Sequence, residues 1–264
     1  MLEVWLAFLA GLLAGSFLNV CIYRLPRDLS VVRPRSFCPA CERGIAWYDN
    51  IPLVSFILLG GHCRGCHARI PLRYPLVEAL TGALFAVVVL MHGVSAMAGK
   101  QCLFAALMVA LIFTDLEERI LPDEFTLGGT LGGILLAIWV PMDRGLVSLF
   151  VPYRWSATAV SVVEAAAGAL LAAGMVWVIG SLYEKLRKRE GLGLGDVKMI
   201  AAAGAFLGLE GALLTVMAGS ILGSVVGIAY IRMKGKDPAT YELPFGSFLG
   251  FAALGVALLG GRLH

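Results

Sequence analysis

The chain has 264 residues, of which 59% are hydrophobic and only 15% charged, with a formal net charge of +3 and a mean hydropathy of +0.85. A soluble domain carries about 25% charged residues, and once the 32 glycines join the apolar set too little polar surface remains to cover a globule of this size. These numbers exclude intrinsic disorder, a collagenous repeat and a secreted disulfide miniprotein, and they leave lipid as the main solvent.

A spanning helix needs about 20 largely apolar residues, because the hydrocarbon core is about 30 Å thick and a helix rises about 1.5 Å per residue. Eight segments qualify: residues 2–23, 74–92, 98–114, 125–140, 157–183, 196–209, 211–231 and 244–261, the sixth being short and weak. The expected fold is an all-α polytopic membrane protein of about eight transmembrane helices. It divides into a first helix at 1–23, a loop at 24–73 and a seven-helix membrane domain at 74–264. The first span begins after Glu3 without a basic n-region and is followed by Arg24 and Arg27, the reverse of a cleavable signal peptide. The positive-inside rule then puts the N-terminus outside. Threading eight spans from there leaves sixteen Lys and Arg on the cytoplasmic side and only Lys100, Arg144, Arg154 and Arg262 outside, with Lys198 just inside a span. The net charge of +3 is too modest to mark a nucleic-acid partner, and none is expected. The sequence carries no signal of oligomeric state.

Four of the six cysteines lie in the long loop as Cys38-Pro-Ala-Cys41 and Cys63-Arg-Gly-Cys66, with 21 residues between the pairs. Two thiolates from each Cys-x-x-Cys turn can converge on one ion and complete the tetrahedral sulfur shell that zinc prefers. An internal echo supports two equivalent knuckles: the first is followed by Ile45 and Pro52-Leu53-Val54, the second by Ile70 and Pro75-Leu76-Val77. Disulfides are the alternative, and a cytoplasmic loop disfavours them because thiols there stay reduced. A filled sulfur shell leaves no open coordination position, so a structural Zn²⁺ is expected. His62 and His67 flank the second knuckle and could substitute as a ligand, while Cys21 and Cys102 sit in apolar spans as small hydrophobes.

Ionisable groups inside or at the edge of apolar spans are expensive and so are functional candidates. Asp115 closes the third span before Leu121-Pro122-Asp123, Asp196 opens the sixth after Gly193-Leu194-Gly195, and Glu78 lies in the second. In the threaded topology Asp115 and Asp196 share one face, where two approaching carboxyls can hold one proton and act as a base and an acid on a peptide bond. The bland alternative is that both are helix-end carboxylates, Asp196 simply capping a helix. Gly193 and Gly195 tilt the balance by clearing side chains from the approach to Asp196. A Rossmann reading of this glycine run fails because no strand precedes it. Glu117, Glu118, Asp123 and Glu124 could attract a basic ligand, or serve only as loop solvation.

Together, Gly15-Ser16-Phe17-Leu18-Asn19-Val20, the paired Cys-x-x-Cys loop, Arg73-Tyr74-Pro75-Leu76-Val77-Glu78, Asp115 with Leu121-Pro122-Asp123, and Gly193-Leu194-Gly195-Asp196-Val197-Lys198 resemble the bacterial type IV prepilin peptidases. The resemblance implies a Gly-x-Gly-Asp membrane aspartic protease of the bacterial inner membrane, with Asp115 and Asp196 catalytic. It implies removal of the basic leader of type IV prepilins and type II secretion pseudopilins after a glycine, on the cytoplasmic side. It further implies N-methylation of the new terminus with S-adenosylmethionine as donor. No nucleotide fingerprint is present, so Asn19, Arg24 and Glu78 are the candidates for the donor site, with interhelical hydrogen bonding as the alternative. Lys198 could act on Asp196 or snorkel to headgroups. A non-catalytic zinc-loop scaffold and a peptidase without methyltransferase activity stay open. A transporter is disfavoured, since its ionisable groups sit near mid-bilayer.

Overall fold

A computed structural model of the chain describes all residues except 143–144, 153, 189–191, 236–242 and 261–264. Arg144, Arg189, Lys236 and Arg262 of the charge count, and position 261 of the last expected span, therefore lie outside the described residues. Among the described residues the protein is helical, with two isolated β-bridges in place of any strand.

The helices are α1 (Leu2–Arg24), α2 (Val54–Leu58), α3 (Arg73–His92), α4 (Ala96–Glu118), α5 (Asp123–Trp139), α6 (Ala157–Ala167), α7 (Ala173–Arg187), α8 (Leu194–Lys234) and α9 (Phe245–Gly260). Five segments are long and apolar enough to cross a membrane, Leu2–Arg27, Arg73–His92, Ala96–Glu118, Ala157–Arg187 and Leu194–Lys234, and Phe245–Gly260 is a shorter apolar helix. Two of the eight expected spans, α5 and α9, are shorter, at 17 and 16 residues, and the rest of the difference is one of continuity. The fifth expected span is α6 and α7 joined through a π-helical turn at Gly168–Ala172, and the sixth and seventh are the two halves of α8. A helix of 41 residues would be about 60 Å long, twice the hydrocarbon core. Gly208 breaks it, with φ 73° and ψ −177°, a conformation that glycine adopts without steric penalty.

The chain forms two compact units, Met1–Phe113 and Thr114–His264. In the first, α1 and α3 touch backbone to backbone: a Cβ on Gly11 would lie 2.7 Å from Gly82 Cα, and one on Gly15 would lie 2.7 Å from Glu78 Cα. This is the small-residue packing by which helices associate in lipid, where no hydrophobic force drives them together. In the second unit α8 is central and packs on α5, α6, α7 and α9. Gly204 on α8 meets the backbone of Gly168 at the start of the π turn so closely that a Cβ there would overlap its carbonyl. One turn before Gly168, Glu164 is 1% exposed. Its Oε1 accepts from the N–H groups of Val147 (2.8 Å) and Ser148 (3.2 Å), and its Oε2, buried without a hydrogen-bond partner, faces the break at Gly208.

Candidate active site

Asp115 lies in the last turn of α4 and is 5% exposed. Its Oδ2 accepts two hydrogen bonds from the first turn of α9, from the Ser247 N–H at 2.6 Å and the Ser247 hydroxyl at 2.7 Å. A carboxylate at a helix N-terminus meets unsatisfied N–H groups and the positive end of the dipole, so a residue of α4 caps α9. Asp196 occupies the first turn of α8. Its N–H bonds the Gly193 carbonyl at 3.1 Å, and the N–H of Gly193, the N-cap, donates back to its carboxyl, a reciprocal cap. The capping role foreseen for Asp196 is therefore real, and it orients the side chain.

The two carboxyls are near enough for the charge of Asp115 to act on Asp196. Between their helices sits Leu121. Its side chain approaches to 3.2 Å from where a Cβ of Gly195 would stand and to 3.1 Å from that of Gly246, whose Cβ would also lie 3.1 Å from Asp115 Cγ. The two glycines are therefore where α8 and α9 close on Asp115 and Leu121. Ser247 and Gly246 carry no sequence-level expectation, and Leu121 enters the sequence reading only as part of Leu121-Pro122-Asp123. The one available signal is the pair of small residues, Gly246-Ser247, opening an otherwise apolar helix.

Lys198 does not turn to Asp196. Its Nζ pairs with Asp123 at 2.7 Å, tying the first turn of α8 to the first turn of α5. Asp123, a member of the acidic set expected to attract a basic ligand, thus has a cation beside it, and Glu117 and Glu118 carry interactions of their own.

In the first unit the two cysteine knuckles are superposable in their hydrogen bonding. Cys38 N–H donates to Arg43 O (2.9 Å) and Glu42 N–H to Cys38 O (2.8 Å), while Cys63 N–H donates to Ala68 O (2.9 Å) and His67 N–H to Cys63 O (3.0 Å). Antiparallel bridges Phe37–Gly44 and His62–Arg69 close them. The four Sγ atoms of Cys38, Cys41, Cys63 and Cys66 lie within 4.8 Å of one another, all as free thiols. The Cys38–Cys66 separation is 3.9 Å, and a zinc tetrahedron with bonds of about 2.3 Å has edges of about 3.8 Å. The donor set fits zinc. N–H groups of Cys66 and Gly65 on its sulfur hold the Cys63 thiol down at about 6, ready to bind as thiolate. His62 instead bonds the Gly60 carbonyl through Nδ1 at 2.7 Å, and the cluster contains no histidine. From within the second knuckle, Arg64 forks onto Asp49 at 2.7 and 2.8 Å, which keeps that carboxyl below its usual range.

Asn19, Arg24 and Glu78 are struts. Asn19 Nδ2 donates to Tyr74 O at 3.0 Å across α1 and α3. Arg24 is buried and donates to the carbonyls of Ser30, Pro34 and Arg35. Glu78 accepts from Leu53 N–H at 2.9 Å and from the Ser16 hydroxyl. The three hold α1, α3 and the loop together.

Two family models match. Residues 9–92 match the bacterial Peptidase A24 N-terminal domain, and residues 102–228 match the type IV leader peptidase family. Among curated proteins, the chain is 40% identical over 229 residues to a prepilin leader peptidase/N-methyltransferase of Myxococcus xanthus, covering 87% of this chain and 63% of that one. It is 33% identical to the protein of that name from Neisseria gonorrhoeae, over 88% of this chain and 83% of the relative. A third, from Pseudomonas aeruginosa, is 32% identical over 96% and 89%. No solved structure matches. The chain belongs to the type IV leader peptidase family.

Proposed function

We propose that this membrane protein removes the leader peptide of type IV prepilins and then N-methylates the exposed terminus, the two activities in the names of its relatives. The observation that carries the peptidase half is the convergence of Asp115 and Asp196, one held by Ser247 and the other by Gly193. Such a dyad works with one carboxyl ionised and one protonated, because adjacent carboxylates do not both ionise easily. The carboxylate takes a proton from a water whose oxygen attacks the peptide carbonyl, and the carboxylic acid gives its proton to the carbonyl oxygen. Collapse of the resulting diol breaks the C–N bond, and the proton passes to the leaving amine. Gly193 keeps the approach to Asp196 free of a side chain, while Gly195 and Gly246 let α8 and α9 close on Leu121 beside the two carboxyls. Lys198 is assigned a positioning role through Asp123.

The finer substrate reading is a cut after a glycine, on the cytoplasmic side of the inner membrane, in prepilins and in type II secretion pseudopilins. The distribution of Lys and Arg along the chain supports that side. Zinc at the four cysteines holds the loop and takes no part in the cut. S-adenosylmethionine supplies the methyl group. Asn19, Arg24 and Glu78, the candidates for its site, also serve as struts between α1, α3 and the loop.

The test is a peptide with a basic leader, a glycine and an apolar stretch, given to the purified protein. Cleavage is lost in Asp115→Asn and in Asp196→Asn while zinc content is retained. Wild-type cleavage by either variant overturns the dyad. Transfer of labelled methyl to the product checks the second activity, and its absence leaves a peptidase alone.

A further inference from the structure

Leu13, Phe17, Val20 and Arg24 recur at intervals of four, three and four along α1 and so share one face of the helix. They form one wall of a groove of about 340 Å³ whose other wall is loop, including Arg35 and Asn50. The groove is apolar at one end and cationic at the other. Leu13 and Phe17 are bare, at 64% and 56% exposure, whereas Arg24 is buried with its charge met only by neutral carbonyls and by the Phe37 ring at 5.6 Å. No carboxylate lines the groove. Among the described residues neither Arg24 nor Arg35 has an ion-pair partner. An unneutralised pair of guanidiniums at the mouth selects an anion, and the planar guanidinium suits phosphate in particular.

The dimensions add a second requirement. From Leu13 to Arg24 is 11 residues, about 16 Å of helix rise, close to half of a hydrocarbon core about 30 Å thick. The ligand is therefore an anionic head joined to a chain as long as one leaflet is deep. S-adenosylmethionine, net positive because its sulfonium and ammonium outweigh its carboxylate, is disfavoured beside two guanidiniums, and a free phosphate leaves the apolar wall empty. We propose that the groove is a binding site for one anionic phospholipid of the leaflet that meets the C-terminal end of α1, its phosphate at Arg35 and Arg24 and one acyl chain along Val20, Phe17 and Leu13. This site requires only that α1 spans the membrane and is independent of the peptidase reading.

The experiment reconstitutes the full chain in nanodiscs of equal phosphatidylcholine and phosphatidylglycerol and counts the lipids retained on release, by native mass spectrometry. The expected result is one phosphatidylglycerol held in preference to phosphatidylcholine. Arg35→Gln lowers that retention about fivefold, the usual worth of one basic residue at an anionic surface. Val20→Trp, which fills the groove and leaves both arginines in place, abolishes it. Zinc content equal to that of the wild type establishes that each variant is folded. Retention of the two lipids in equal amounts by the wild type overturns the proposal. So does undiminished retention in both variants, and displacement of the lipid by millimolar inorganic phosphate assigns the site to free phosphate instead.

Discussion

Ser247 is the residue on which the orientation of Asp115 depends, since it gives both of the donors that reach Oδ2. Ser247→Ala removes the hydroxyl and leaves the N–H. A hydrogen bond to a charged group is worth about 1.5–3 kcal/mol, so kcat for the leader peptide should fall about tenfold or more with KM little changed, as expected for a group that aligns the reacting carboxyl. Steady-state kinetics on the purified variant checks this, and an unchanged kcat removes Ser247 from the site. The aspartates stand out in the sequence because each is a carboxylate at the end of an apolar span beside a Gly or Pro signal, Gly193-Leu194-Gly195 and Leu121-Pro122, whereas a serine in a helix is ordinary and this one acquires its meaning from a partner 132 positions away. At Cys63 the thiol lies at about 6 when the metal is absent, and a group with a lowered value is mostly thiolate at pH 7. Stripping the zinc with a chelator should therefore make Cys63 the first of the four cysteines to react with iodoacetamide at pH 7, with the rate falling as pH drops through 6. Restored zinc should protect it. Peptide mapping reads the order of labelling.

Among the elements, α6 and α8 show where apolar patterning stops being informative. The pattern predicts two separate spans, 196–209 and 211–231, divided at position 210. The chain instead keeps winding and turns at Gly208, because Gly168 and Gly204 bring the two backbones together. Glu164 escaped notice inside an apolar run. Its carboxyl is explained only by the segment it holds, Val147 and Ser148. Glu164→Ala leaves two N–H groups without their acceptor at about 1–3 kcal/mol each. The variant should unfold at a distinctly lower temperature in detergent, while Glu164→Gln, which keeps an oxygen, loses much less. Equal losses in the two variants would show that the acceptor is not what matters.

For the whole molecule, the apolar composition and the cysteine spacing reported the class and the four-cysteine cluster directly, because each is a local property of the sequence. Sidedness is a global one, carried by the sum of many weak preferences for Lys and Arg on one face. Trypsin, which cuts after those same residues, is therefore its natural probe. Inverted vesicles present the proposed cytoplasmic face, and there the protease should cut within the 24–73 loop at exposed sites such as Arg43 and Arg69, and beyond α7 near Arg187. In sealed spheroplasts those sites are shielded. Of the four basic residues assigned to the opposite face, Lys100 is buried at 4% exposure and gives the enzyme no grip, while Arg154 is exposed in the segment before α6. Cleavage from outside should thus yield fragments ending at Arg154 and none from the zinc loop. Loop fragments from intact spheroplasts would invert the topology, and with it the compartment in which the two aspartates meet their substrate.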